Sequence, residues 1–485
     1  MNQSMSDAKR QEASLDLPLD PPGAGESKQS WVYRQIRERI LKGALLSGVR
    51  LPSTRSLAQR WCVSRSTVEA AYDQLRSEGY TAGTVGSGTY VAAVIPDKFF
   101  RRGQPHQEAS AKPVPTPLGQ DQTGSPFSSR TADASLFPLA SWNKGLAAST
   151  RQITPAQLGS DQFQGWPPLR EQIARYLGAA RDIRCDPHQV IVLSGIRDAL
   201  NLCGRILLKP QDKVLIEDPG YLNAVPIFGQ YTPHVMPLPI DTHGFATAQA
   251  RRQRGVKLVY VTPAHQSPTG ITMPVSRRLE LLDWAEQSGA WIVEDDYDSE
   301  FNYDGAPLAA LKSMDNADRV IHCGSFNKSM FNALRIGYAV VPKTLVPAFI
   351  EAQRMAGRAN SVIEQMTLTR FLDDGGFARH VRKARGVYAR RRDVLLQALQ
   401  QAAATDTLRI SGEHAGFHLL WWLPDGWEMA HVVEAGKRAG VGVQALADFC
   451  RKTVLPPGVV IGYSAVEEER LRRFGLLLAN ARPKR

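Results

Sequence analysis

A chain of 485 residues, 43% apolar and 22% charged, has the composition of a globular protein of two or three domains. Its formal net charge of +12 favours an anionic partner such as nucleic acid. Five scattered cysteines without a CxxC pair argue against a disulfide framework and a zinc site, no apolar run reaches the roughly 20 residues of a membrane span, and the polar first thirty residues lack the apolar core of a signal peptide. A reducing cytoplasm is the expected compartment, and neither metal nor membrane is an expected partner.

In chain order, residues 1–28 are polar and read as a disordered tail. Residues 29–93 are compactly patterned. WVYRQIRERILKG carries apolar residues at 32, 36, 40 and 41, a helical face. LPSTRSLAQRWCVSRSTVEAAYDQLRSEGY reads as two helices joined by a short turn, the first capped by Ser53 or Thr54 and the second by Ser64. Val68, Ala71, Tyr72 and Leu75 form the inward stripe of the second helix; Arg65, Glu69 and Arg76 lie off it. TAGTVGSGTYVAA follows as two short strands around a Gly-Ser-Gly turn. The order is that of a winged helix-turn-helix, whose second helix enters the major groove. Residues 31–91 hold nine Lys plus Arg against four Asp plus Glu, in keeping with DNA as partner. Ser64, Ser66, Thr67 and the backbone at the helix start suit phosphates, Arg55 and Arg65 suit guanine edges or phosphate, and Gly86 and Ser87 at the wing tip suit the DNA backbone.

Residues 94–130, rich in Pro, Gln, Ser and Gly, read as a linker. From 131 to 482 helical patterns such as PLREQIARYLGAAR and VSRRLELLDWAEQSG alternate with the strand-like runs QVIVLSG, DKVLIEDPG, VKLVYVTPAH, AWIVEDDYD and RVIHCGSF. This rhythm predicts βαβ units and a mostly parallel sheet buried on both faces. Asp295 and Tyr297 then sit at the carboxyl end of one strand and Lys328 at the end of another, where open α/β sheets bind ligands. Lysine, carboxylate and phenol are what pyridoxal phosphate requires. The lysine forms a Schiff base with its aldehyde, the carboxylate keeps the pyridine nitrogen protonated, and the phenol bonds the ring hydroxyl. Ser325 and Arg335 flank Lys328 as phosphate ligands, and SGIRDAL offers a glycine turn entering a helix as a second cradle.

PSTRSLA, SRSTVEAAYDQL, EGY and GSGTYV resemble the DNA-binding domain of GntR-type bacterial repressors. GWPPLREQIARYL, SGIRDALNL, EDPGY, VTPAHQSPTG, EDDYDSEF, SFNKSM and RIGY resemble fold-type-I aminotransferases over nearly all of 131–482. The two together resemble the MocR branch of GntR regulators. The resemblance implies an N-terminal winged helix-turn-helix plus a C-terminal α/β pyridoxal-phosphate-dependent transferase-like domain, its mostly parallel sheet joined by a small α+β subdomain. It further implies Lys328 as the Schiff-base lysine, Asp295 at the pyridine nitrogen, Tyr297 at the ring hydroxyl and Tyr221 stacked on the ring. Ser325, Arg335 and the backbone at Ile196 and Arg197 would hold the phosphate, and the protein would be a head-to-tail homodimer. His265 either supports its loop or touches a ligand.

Three positions depart from the aminotransferase pattern. Val460 stands where such enzymes place the arginine that grips a substrate carboxylate, Asn223 where the GABA-responsive regulator of the branch has another, and Ser267 where the NPTG motif has asparagine. Losing bidentate arginines removes a strong carboxylate clamp. The expected function is a transcriptional regulator of operator DNA that senses pyridoxal phosphate or an amino compound. The alternatives are an active aminotransferase with an accessory DNA-binding domain, and a large domain kept only as a dimeriser.

Overall fold

The structure, a computed structural model, describes residues 19–23, 25–83, 88–92, 131–303, 309–357, 359–403 and 408–480. The chain forms two compact units that part near residue 116.

In the small unit, helix α1 (Lys28–Leu41) precedes α2 (Thr54–Arg60) and α3 (Arg65–Ser77), and strands β1 (Thr81–Ala82) and β2 (Tyr90–Val91) pair antiparallel as the base of a wing. Ser53 Oγ accepts from Ser56 N and Ser64 Oγ from Thr67 N, so each helix of the pair begins on a serine cap. Val32, Ile36 and Ile40 of α1 meet Leu57 of α2 and Val68, Ala71, Tyr72 and Leu75 of α3 in one core. Each fully buried aliphatic side chain there contributes about 1.5–3 kcal/mol. The tail expected up to residue 28 is partly built into this unit. Leu19 packs on the core, and the Trp31 indole N–H donates to the Asp20 carbonyl at 2.7 Å. A buried indole needs an acceptor, and the preceding chain supplies it. Residues 1–18, the wing tip with Gly86 and Ser87, and the expected linker lie outside the described residues.

In the large unit, α4 (Pro167–Arg181) leads to β3 (Val190–Leu193), α5 (Ile196–Leu207) and β4 (Lys213–Asp218). Then come β5 (Val235–Asp241), β6 (Gly244–Phe245), β7 (Val256–Val261), α6 (Val275–Ser288), β8 (Trp291–Asp296) and β9 (Val320–Ser325). After β9 come the single turn α7 (Phe326–Ser329), β10 (Gly337–Val340) and the long α8 (Gly376–Ala403). The eight-stranded sheet has the order β3-β10-β9-β8-β7-β4-β5-β6. Strands β5, β4, β7, β8 and β9 run parallel, while β10 inserts antiparallel between β3 and β9 and β6 closes the other edge antiparallel. The mostly parallel sheet is as expected; the strands lacking a clear signal were β5, interrupted by Pro237 and Pro239, the two-residue β6, and β10, only GYAV.

A second sheet, β11 (Arg409–Ser411), β12 (His418–Trp422), β13 (Val443–Ala445) and β14 (Gly458–Gly462), is antiparallel in the order β11-β12-β14-β13. Leu419, Trp421, Val459 and Ile461 on one face pack with Leu395 and Leu399 of α8 and with Leu471 and Phe474 of α9 (Glu468–Asn480). The other face carries Leu420 and Val460 against Leu446 and Phe449. Ser464 Oγ donates to the Thr131 carbonyl at 2.6 Å and Arg391 pairs with Asp133 at 2.8 Å, so the first residues of this unit are held by its C-terminal subdomain.

Candidate cofactor site and DNA-binding face

Strand β8 ends in three consecutive carboxylates, and the pleat sends them to opposite faces. Glu294 faces the β9 residue directly opposite, His322, at 2.9 Å, and takes the backbone N–H groups of Leu311 and Lys312. Asp296 pairs with the buried guanidinium of Arg181 at 2.7 Å. Asp295 points the other way and accepts from the Tyr260 hydroxyl at 2.6 Å. Burial pushes its carboxyl up to about 7, although the Tyr260 bond works against that shift.

Asp295 lines a cavity of about 310 Å³, within the range of small-molecule sites. Lys328, Tyr297, Tyr221, Ser325, Arg335, Ile196 and Arg197 line it too, so every residue proposed from sequence for the cofactor meets here. Lys328 is half-buried in α7, the turn that Ser325 caps by accepting from Asn327 N. Arg335 is exposed at the rim in the left-handed region (φ 53), and its carbonyl accepts from Asn360. Such backbone strain costs about 1–3 kcal/mol and gathers at ligand clamps.

The cradle is built at the start of α5. Gly195 is its N-cap at φ +134, and a Cβ there would lie 3.0 Å from Asn327 Nδ2. Asn327 in turn bonds the Ser194 carbonyl and the Ile336 N–H, fastening the β3–α5 turn to the lysine turn. Tyr221 and Tyr260 stand with ring centroids 6.2 Å apart, and the Tyr221 hydroxyl accepts from Asn223 Nδ2 at 3.2 Å. The loop bearing Tyr221 is anchored by Asp218, fully buried, whose carboxylate accepts the N–H groups of Arg451, Lys452 and Thr453 at 2.7–2.8 Å and the Thr453 hydroxyl at 2.9 Å. His265 does not line the cavity; it sits behind Tyr297. Sequence reading missed Tyr260, Asn327 and Asn332 as lining residues. Tyr260 is hidden in an apolar strand, while the two asparagines lie within four residues of Lys328, the one signal that was present.

Among the departures, Ser267 lines the cavity. Val460 is fully buried in β14 among Leu420, Leu446 and Phe449, with Leu222, the neighbour of Tyr221, on the same cluster. Apolar packing thus surrounds Val460, the position at which an enzyme's carboxylate clamp is expected from the sequence.

On the small unit, Ser64, Arg65 and Ser66 are exposed at the start of α3, Thr67 is half-buried and Arg55 is exposed on α2. Arg65 Nε donates to Glu69 Oε1 one turn on, at 2.8 Å. Ser64 Oγ bonds both Ser66 Oγ and Thr67 Oγ1, so with Arg65 these side chains form a polar cluster at a helix N-terminus, the part of a recognition helix that meets bases and phosphates.

A helix-turn-helix unit and an aminotransferase fold with a lysine, a carboxylate and a phosphate cradle define a class of two-part regulators. The family described as aminotransferase class I and II matches residues 140–431, and the family of bacterial regulatory proteins, gntR family, matches 28–91. The probable rhizopine catabolism regulatory protein MocR of Rhizobium meliloti is 33% identical over 91% of this chain and 91% of its own. The pyridoxine biosynthesis transcriptional regulator PdxR of Corynebacterium glutamicum is 30% identical over 94% and 96%. Among solved structures, Pyrococcus horikoshii kynurenine aminotransferase, determined in complex with PMP, superposes with a TM-score of 0.66 at 27% identity, over 73% of this chain and 89% of that one. The chain belongs to the MocR-type branch of the GntR-family helix-turn-helix transcriptional regulators.

The cofactor of such a domain is pyridoxal phosphate. The residues fit it. The glycine cradle at the helix start suits a phosphate, and a carboxyl forced up by burial is matched by a cationic ring nitrogen. Among the described residues no helix is long and apolar enough to cross a membrane, and no group of three or more His, Cys, Asp or Glu could hold a metal ion.

Proposed function

We propose that this protein is a cytoplasmic, homodimeric regulator that binds operator DNA through residues 29–93. Residues 131–482 hold pyridoxal phosphate at Lys328 and sense either that cofactor or an amino compound. The supporting observation is the convergence of Lys328, Asp295, Tyr297, Tyr221, Ser325 and Arg335 on one cavity, in a chain that also carries a helix-turn-helix. When bound, the cofactor supplies an aldehyde and an electron-withdrawing ring. Lys328 holds the aldehyde carbon, Asp295 keeps a proton on the ring nitrogen, Tyr297 donates to the ring hydroxyl and Tyr221 covers the ring. Ser325, Arg335 and the N–H groups of Ile196 and Arg197 hold the phosphate.

Val460 is buried in apolar packing where the enzymes carry their arginine clamp, and Asn223, where the GABA-responsive regulator has a second arginine, is turned to Tyr221. That favours an effector without an α-carboxylate, or pyridoxal phosphate itself, over the aminotransferase reading. A ligand switches such a protein only by its difference in affinity between two states. A head-to-tail dimer presents two α3 helices to two operator half-sites, and the linker sets their spacing.

The test is the visible absorption of the purified protein titrated with pyridoxal phosphate and then with amines and amino acids, with operator binding followed in parallel. Lys328→Ala is expected to lose the cofactor-dependent band and the effector response while still binding DNA. A variant that responds normally would refute the role of Lys328, and steady conversion of an amino acid to a keto acid would establish an enzyme.

A further inference from the structure

His265 is 2% exposed and surrounded on every side. Its Nδ1 lies 2.7 Å from Asp298 Oδ2, its Nε2 lies 3.3 Å from the Gly412 carbonyl, and the Tyr297 hydroxyl stands 3.3 Å from Nδ1. The ring is caged by glycines. A Cβ on Gly270 would come within 2.8 Å of Nε2, one on Gly412 within 3.3 Å of Nε2, and one on Gly416 within 2.8 Å of Cε1. Side chains at these positions would displace the imidazole, and Gly412 and Gly416 belong to the C-terminal subdomain. The titratable groups facing the ring are Asp298 and Tyr297 from the segment after β8, Glu413 and His414 from the segment before β12, and His418 of β12.

A carbonyl cannot donate, and neither can a carboxylate. With one at each nitrogen, the arrangement favours a proton on both and so the imidazolium form. Burial disfavours that charge, but the Asp298 carboxylate and its hydrogen bond outweigh it, and the affinity of His265 for protons is raised. The single Nδ1 proton points chiefly at Asp298, and the Tyr297 oxygen, 3.3 Å from the same nitrogen, shares it as the weaker second acceptor and meets no lone pair there. It accepts on that side, so its own proton is donated elsewhere, and Tyr297 is a wall of the cofactor cavity.

We propose that His265, oriented by Asp298, is a positioning residue that fixes the direction of the Tyr297 hydroxyl and strengthens it as a donor to an oxyanion in the cavity. The inference rests on the reading that the cavity holds pyridoxal phosphate, whose phenolic oxygen is that oxyanion. A cation behind the phenol makes it a stronger acid and a better donor. Stabilising the deprotonated phenolic oxygen lowers the pH at which the bound cofactor changes colour.

The experiment is a pH titration of the visible band of the full-length, cofactor-loaded protein. His265→Gln, Asp298→Asn and Tyr297→Phe are each expected to move the midpoint to higher pH, by about one unit or tenfold in proton affinity. His265→Gln added to Tyr297→Phe is expected to move it no further. A residue that merely fills space would alter stability or cofactor affinity and leave the midpoint in place. Unmoved midpoints in the loaded His265→Gln and Asp298→Asn proteins would overturn the proposal, as would a His265→Gln shift that persists undiminished without the Tyr297 hydroxyl. If His265→Gln fails to fold, Asp298→Asn, which preserves shape, decides alone. Absence of any band in the unaltered protein would instead remove the cofactor reading on which the proposal stands.

Discussion

Glu294 and Asp295 are neighbours in the chain with opposite behaviour, because a strand turns successive side chains to opposite faces. Burial by itself would raise Glu294. Its bond to His322 and the N–H groups of Leu311 and Lys312 hold it at about 2 instead, below its ordinary value of 4.5. A carboxyl depressed on folding stabilises the fold fully above its unfolded value and loses that contribution as pH falls toward its folded value. Stability to urea is thus expected to fall between pH 4.5 and about 2, by roughly 3 kcal/mol from this group. Glu294→Gln should flatten that part of the profile; an unchanged slope would show that the pair carries no such linkage. Lys328, Asp295 and Tyr297 were legible because each ends a run with a clear strand pattern. The Glu294–His322 pair was not, since it depends on the register of β8 against β9, which neither run states alone.

Helix α3 joins the inward stripe of Val68, Ala71, Tyr72 and Leu75 to an outward start at Ser64, Arg65 and Ser66. Both halves follow from a serine cap and helical periodicity, so this element was readable in full. The start of α1 was not: its support by Asp20 and Leu19 comes from a segment whose composition reads as tail. The Arg65–Glu69 pair is exposed on both sides, and such a pair is worth at most about 1 kcal/mol. Glu69 therefore steadies Arg65 without preventing its transfer to a base. Arg65→Ala is expected to weaken specific operator binding about tenfold or more, the usual worth of a good arginine–guanine contact, while non-specific DNA binding falls only slightly. Fluorescence anisotropy with operator and scrambled duplexes separates the two, and equal losses on both would make Arg65 a phosphate contact only.

At the scale of the molecule, two compact units divided by a Pro- and Gln-rich segment were visible from composition. The C-terminal subdomain was not visible from composition and was expected only through the family resemblance, because its strands are three to five residues long and its packing on α8 and α9 is a tertiary matter. Sedimentation of the purified protein is expected to give a dimer whose operator affinity falls steeply with salt, as counterion release requires of a chain of net charge +12. A monomer that still binds a two-half-site operator tightly would refute the dimeric reading.

Asp218 ends β4 of the main sheet, yet its carboxylate is spent on the backbone of residues 451–453. Three residues further on stands Tyr221, a wall of the cavity. That wall is consequently fastened to the segment between β13 and β14 as well as to the larger sheet. A molecule that pushes Tyr221 aside must either stretch four half-buried hydrogen bonds or carry residues 451–453 with it. A change at Tyr221 is therefore expected to reach residues 451–453 of the C-terminal subdomain first, and amide exchange of that segment with and without pyridoxal phosphate checks it.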